Sequence, residues 1–173
     1  GFTSFRLEDL TAANGIEHGA AHDAMADVVA TIEIAKLLKR CDENLFDTLH
    51  RQRTKRAVSA LVNLDELTPL VHVSGMFGGA RRNLALVVPV AWHPTNNSEV
   101  ICVDLGKSPD FLEQPTDTVR QHLFTPRAEL PEEVERPPIK TIRFNRAPVL
   151  LPTQWVAGEV AESLGLDGDL HRR

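Results

Sequence analysis

The feature that most constrains this chain is a change of hydrophobic period at Pro69. Before it, apolar residues recur at helical spacing. After it, they fall in short runs separated by turn residues. In residues 4–14, Phe5, Leu7, Leu10 and Ala13 follow a helical spacing and Asn14-Gly15 supplies a stop. Residues 23–40 give the strongest helix, with Met25, Val28, Ile32, Ala35 and Leu38 on one stripe. Asp23 suits its cap and first turn; Lys36, Lys39 and Arg40 suit the negative end of its dipole. Cys41-Asp42-Glu43-Asn44 reads as a linker, and residues 45–62 as one further helix with a basic middle of Arg51, Arg53, Lys55 and Arg56.

Beyond Pro69, Leu70–Val73, Leu84–Trp92, Val100–Asp104, Ile139–Phe144 and Val149–Leu150 read as strands. Gly75, Gly78-Gly79, His93-Pro94 with Asn96-Asn97, and the Pro- and Glu-rich stretch from Pro126 to Pro138 separate them. Short strands with turns between them predict a small β-barrel or sandwich. Residues 116–124, capped by Thr116, and 153–165, stopped by Gly165, read as helices. The class is α+β: a helical piece, then a β-rich one.

The 173 residues allow one ordinary domain or two small ones. Roughly 65 residues before the switch are too few for a complete α/β core. The chain opens on Gly1, followed at once by Phe2, Phe5 and Leu7. The expectation is that the first piece is the tail of a longer domain. A content of 42% hydrophobic and 25% charged residues is globular rather than disordered. The net charge of −5, from 24 acidic and 19 basic residues, argues against a simple basic nucleic-acid coat but leaves room for a local basic groove. Two cysteines, Cys41 and Cys102, do not make a disulfide framework and suit a cytosolic protein. The longest apolar run, Leu84–Trp92, is broken by Pro89 and is far short of the ~20 residues that span a bilayer.

The stretch from His18 to Asp27 concentrates chemistry: His18, His22, Asp23 and Asp27. Asp23 can simply cap a helix. His18 and His22 are spaced as zinc ligands, against which stand Gly19 and the lack of a third strong ligand. In a third reading Asp27, in the first turns of a helix, gives a hard oxygen to Mg²⁺ or Mn²⁺ while a loop-borne His22 takes a proton from water. Two metals would supply the charge clamp for phosphodiester hydrolysis.

Longer strings decide among these. Ser4-Phe-Arg-Leu-Glu8, Asn14-Gly-Ile-Glu-His18, Ala21-His-Asp-Ala-Met-Ala-Asp-Val28, Pro69-Leu-Val-His-Val-Ser-Gly-Met-Phe-Gly78, Ala91-Trp-His-Pro94, Val103-Asp-Leu105 and Pro148-Val-Leu150 together resemble the exodeoxyribonuclease I family of bacterial 3′→5′ single-strand DNA exonucleases. The resemblance runs over essentially the whole chain. It implies that residues 1–42 are the C-terminal end of an RNase H-like exonuclease domain. Residues 43–173 would be an SH3-like β-barrel domain, truncated at its end and without the family's helical extension.

By that resemblance His22 is the catalytic histidine and Asp27 the last metal-binding carboxylate, with Mg²⁺ as the cofactor and Mn²⁺ as a substitute. Arg6 binds substrate near the scissile end. Lys55 and Lys140 contact the DNA strand, with Ser98 and Asn145 as further contacts. The partners implied are single-stranded DNA and the acidic C-terminal tail of single-strand DNA-binding protein, for a monomer of the cytoplasm with no membrane association. Asp42-Glu43 and Asp65-Glu66 are adjacent and cannot stand in for the family's Asp-x-Glu pair, whose two carboxylates share one strand face. The 173 residues alone are therefore expected to be inactive. The alternative is a non-catalytic module that binds single-stranded DNA or a protein. Thr48 and Thr68 stand where the family pattern has an aromatic and a basic residue, and the chain has no tyrosine.

Overall fold

The computed structural model describes residues 4–17 and 23–156. The chain divides into two compact units, Gly1–Arg51 and Gln52–Arg173.

Among its described residues the first unit holds three helices, α1 (Leu7–Ala13), α2 (Ala24–Cys41) and α3 (Glu43–Arg51). Thr11 is buried in α1, and its hydroxyl donates to the carbonyls of Leu7 and Glu8, each at 2.9 Å. That removes the cost of an unpaired buried hydroxyl. After the Asn14 cap, Gly15 takes φ +64°, a conformation costly for residues with a Cβ. Asp23 occupies the cap position of α2 without a side-chain cap bond, so only its charge favours the helix start. No four-residue linker follows α2. Asp42 alone separates α2 from α3, because its side chain accepts the Leu45 N–H at 2.9 Å and starts the next helix at once. Lys39 then bridges to Glu43 at 3.3 Å and Asp47 at 3.4 Å. On the α2 stripe, Met25, Val28, Ile32 and Leu38 are between 47% and 68% exposed.

The single helix expected over 45–62 is also corrected. The second unit starts its own helix, α4 (Lys55–Ser59), where the Thr54 hydroxyl accepts the Ala57 N–H at 3.3 Å. A capped start inside an apolar pattern overrides periodicity. Among the described residues five antiparallel strands follow: β1 (Leu70–Val73), β2 (Leu84–Trp92), β3 (Glu99–Asp104), β4 (Ile139–Arg143) and β5 (Val149–Pro152), in the order β4-β3-β2-β1-β5. Among the described residues no ladder joins β4 to β5, so hydrogen bonding leaves the sheet open. Helix α5 (Thr116–Phe124) has Pro115, not Thr116, at its cap position; the proline ring presets the extended entry. Of the helix expected over 153–165, the described part is a 3-10 turn, Thr153–Trp155; the remainder from residue 157 lies outside the described residues.

One sheet face forms the core. Val58 from α4 meets Leu70, Ala85, Val87, Val100, Cys102, Ile142, Phe144 and Leu150. Strand β2 alternates buried and half-buried positions from Leu84 to Pro89, as a half-buried strand should. The alternation then breaks. Pro89 pairs with Cys102 and Ala91 with Ile101, leaving Val90 without a partner in a β-bulge. Proline has no N–H to give the ladder, so the bulge falls where a bond is already missing. Residues directly opposite on antiparallel strands share a face. After the bulge Trp92 lies opposite Val100, on the core face; unbroken pairing would have put Ala91 there instead.

Phe144 seals this end of the core at 2% exposure. We expect Phe144→Ala to lower unfolding free energy by about 3–5 kcal/mol, measured by urea denaturation of the whole chain; a loss under about 1 kcal/mol would contradict the packing described.

Candidate functional site

Lys55 is the first residue of α4, and its Nζ donates to the Ser98 hydroxyl at 2.8 Å and to Asn97 Oδ1 at 3.3 Å. Two residues picked from sequence 43 positions apart thus meet. Both acceptors are uncharged. The β2–β3 loop that carries Ser98 is fixed by its own bonds. Asn96 Oδ1 accepts the Ser98 N–H at 3.0 Å, and Asn96 Nδ2 donates to Glu99 Oε1 at 2.7 Å. Glu99, itself buried, is also paired with Arg143 at 3.0 Å. Asn145 is the exposed middle residue of a 3-10 turn, Phe144–Arg146, and the Phe144 N–H donates to the Ser98 carbonyl at 2.8 Å. Lys55, Ser98 and Asn145 therefore gather at one end of the sheet.

Lys140 does not join them. It lies on β4 opposite Cys102, four positions before Phe144, about 13 Å away by strand rise. Its Nζ stands 4.0 Å from the centre of the Phe77 ring and donates to the Ser74 hydroxyl at 3.3 Å. Partial burial pushes this ammonium below its ordinary pKa, while Asp104 and Cys102 act the other way. Arg81 approaches the Phe77 ring at 5.4 Å and is held by a two-pronged bond to Asp104 at 2.6 and 2.9 Å. Burial pushes the Cys102 thiol up to about 12, which makes it an inert core group rather than a nucleophile. Lys140 shares a cleft of about 560 Å³ with His72, Arg143 and Arg146.

In the first unit, Arg6 is exposed at the cap position of α1, its N–H bonded to the Ser4 hydroxyl at 3.3 Å. Asp27 sits half-buried in the first turn of α2, and its main-chain carbonyl accepts the Thr31 hydroxyl at 2.7 Å. His22 and His18 lie outside the described residues. Among the described residues no three His, Cys, Asp or Glu side chains cluster to hold a metal, and no helix is long and apolar enough to cross a membrane.

Two features at the site escape sequence reasoning. Asn97 reads as a turn residue, yet its side chain binds Lys55. Trp92 reads as the end of a strand, yet it borders the cleft that Lys55 borders. The proline inside β2 was the available signal for the bulge.

A family model described as the exonuclease I SH3-like domain matches residues 53–173. The chain is 48% identical over 168 residues to exodeoxyribonuclease I of Escherichia coli (strain K12), covering 96% of this chain and 35% of that protein. It superposes on E. coli exonuclease I in complex with a dA16 oligonucleotide with a TM-score of 0.87, at 46% identity, covering 96% of this chain and 36% of that one. The zinc-ion-bound form of an E. coli exonuclease I–ssDNA complex gives 0.87 at 46% identity, with the same coverages of 96% and 36%. An ExoI/SSB-Ct complex gives 0.85 at 45% identity, covering 96% of this chain and 35% of that one. The chain thus spans about a third of the length of the relatives it matches.

His72 generates a prediction about pH. It is buried on β1, and its Nδ1 lies 3.0 Å from the Val149 carbonyl, which can only accept, so Nδ1 carries the proton. Burial, aided by the Lys140 charge, holds the imidazole below its ordinary 6.5 despite that bond. Below that ordinary value the unfolded chain takes up a proton that the folded chain refuses. Stability contributed by neutral His72 is therefore complete above about 6.5 and is lost as pH falls toward the folded value, at up to about 1.4 kcal/mol per pH unit. His72→Asn keeps an N–H for Val149 without titrating. Its urea midpoint should fall less steeply than the parent's between pH 7.5 and 5, and equal slopes would refute the assignment.

Proposed function

This chain belongs to the exonuclease I SH3-like domain family, and on that footing we propose that it is part of an exodeoxyribonuclease hydrolysing single-stranded DNA from the 3′ end to 5′-mononucleotides, in DNA repair and recombination. Residues 1–42 contribute the closing part of an RNase H-like exonuclease domain, and residues 43–173 are the SH3-like domain that holds the strand. The observation that carries this reading is the meeting of Lys55 and Ser98, a cation whose partners among the described residues, Ser98 and Asn97, are neutral. Phosphate contacts from Lys and Ser side chains position a strand without reading its sequence. Lys140 with its neighbours Arg143 and Arg146 gives a second cationic patch, and Asn145 an exposed amide.

In this reading Arg6 contacts the strand near the scissile phosphate, and His22 takes the proton from the attacking water. Asp27 suits Mg²⁺, with Mn²⁺ as a substitute, because its carboxylate is a hard oxygen donor. It gives one ligand rather than a site. A bound divalent ion of this kind activates water and offsets charge on the phosphate. The likeness to an ExoI/SSB-Ct complex supports the C-terminal tail of single-strand DNA-binding protein as a partner. We place the protein in the cytoplasm, as a monomer.

In the whole protein, His22→Ala and Asp27→Ala should each reduce turnover by at least about 10²-fold; near-normal rates with either would refute its role. The 173 residues alone should bind single strands and leave them intact in Mg²⁺, as the binding-module reading also requires. Processive degradation by that piece would overturn the ligand count. Lys55→Ala should weaken binding and lower the slope of log affinity against log salt by about one.

A further inference from the structure

The cleft at the Lys55 end of the sheet has a volume of about 590 Å³, within the roughly 300–1,000 Å³ usual for ligand pockets. Trp92, His93, Pro94 and Asn97 line it together with Lys55 and Phe144. Resting on the strand-binding reading of Lys55 and Ser98, we propose that Trp92 is a stacking platform for one unpaired nucleobase of the strand whose phosphate lies on Lys55.

Three observations carry this. Trp92 is 49% exposed although it lies on the core face, and so much bare indole in a cleft is a standing cost unless something flat covers it. Its ring is held in place: it meets Phe144 edge to face, with centroids 6.1 Å apart and planes at 75°. Phe144 is in turn fixed in the core and by its N–H bond to Ser98. A held ring loses little freedom when a base stacks on it. Finally, the bulge at Val90 is what turns Trp92 toward Lys55, and bulges beside functional sites commonly re-aim a side chain in this way. A ring for the base and an ammonium for the phosphate are the two elements of sequence-tolerant single-strand binding.

The test uses the whole protein in EDTA and a short labelled oligothymidylate, read by fluorescence anisotropy. Trp92→Leu keeps an apolar contact with Phe144 but has no π-face, and should weaken binding about 5- to 150-fold; Trp92→Phe should retain most of the affinity. The salt slope should be unchanged in Trp92→Leu and lower by about one in Lys55→Ala. Replacing bases one at a time by abasic residues should weaken the parent at one position, where Trp92→Leu loses nothing more. If Trp92→Leu binds normally while Lys55→Ala is weakened, the platform is refuted and the strand-binding reading stands. If neither substitution weakens binding, both fall. Equal weakening by Leu and Phe with no sensitive abasic position would assign Trp92 a packing role only, and overturn the proposal. Should Trp92→Leu fail to fold, Trp155→Phe made in the 173-residue chain leaves Trp92 as its sole tryptophan. Its emission must then be quenched by the oligonucleotide and not by an abasic strand of equal length; quenching by both, or by neither, refutes stacking.

Discussion

A single main-chain bond, from the Phe144 N–H to the Ser98 carbonyl at 2.8 Å, organises the end of the sheet where the binding residues meet. It carries the β3–β4 contact one step past the last ladder pair, Glu99 with Arg143. Three consequences follow from its position. Phe144 is driven into the core beneath Trp92, Asn145 is turned outward, and the Ser98 side chain is presented to Lys55. The loop between β2 and β3 is pinned by this bond, by the Asn96–Glu99 contact and by the His93 N–H bond to the Glu99 carbonyl at 3.1 Å. Its polar groups are thus set in advance of any ligand, which lowers the ordering cost of binding.

The charge pattern complements that geometry. The chain is acidic overall, yet the carboxylates nearest the two cationic clefts are already engaged: Glu99 by Arg143 and Asn96, Asp104 by Arg81. Removing them from competition matters more for anion binding than net charge does, because a footprint depends on local distribution. Lys140 shows the same economy. Its ammonium rests on the Phe77 ring and the Ser74 hydroxyl rather than on a carboxylate.

How much was legible in the sequence differed by element. Strands β1 and β2 run over the residues their apolar runs indicate, because the signals of composition, turn residues and burial agree there. The 45–62 segment was misread because apolar spacing is blind to a cap: Thr54 starts a new helix inside a continuous pattern. Asp42 did the reverse, closing what looked like a linker. The approach of Lys55 to Ser98 is a tertiary fact that no local pattern encodes; only the family resemblance pointed to both. Trp92 was missed because strand alternation assigns faces by counting, and the count fails at Val90.

That failure of counting has its own implication. The bulge adds a residue to β2 and none to β3, so the segments before and after Val90 are out of phase. The same chain paired with β3 without the bulge would have the same composition and hydrophobicity profile. Its Trp92 would nevertheless sit on the opposite face of the sheet, with Ala91 in the cleft. Whether one residue of this short stretch is left unpaired decides which face of the sheet Trp92 presents to a flat ligand.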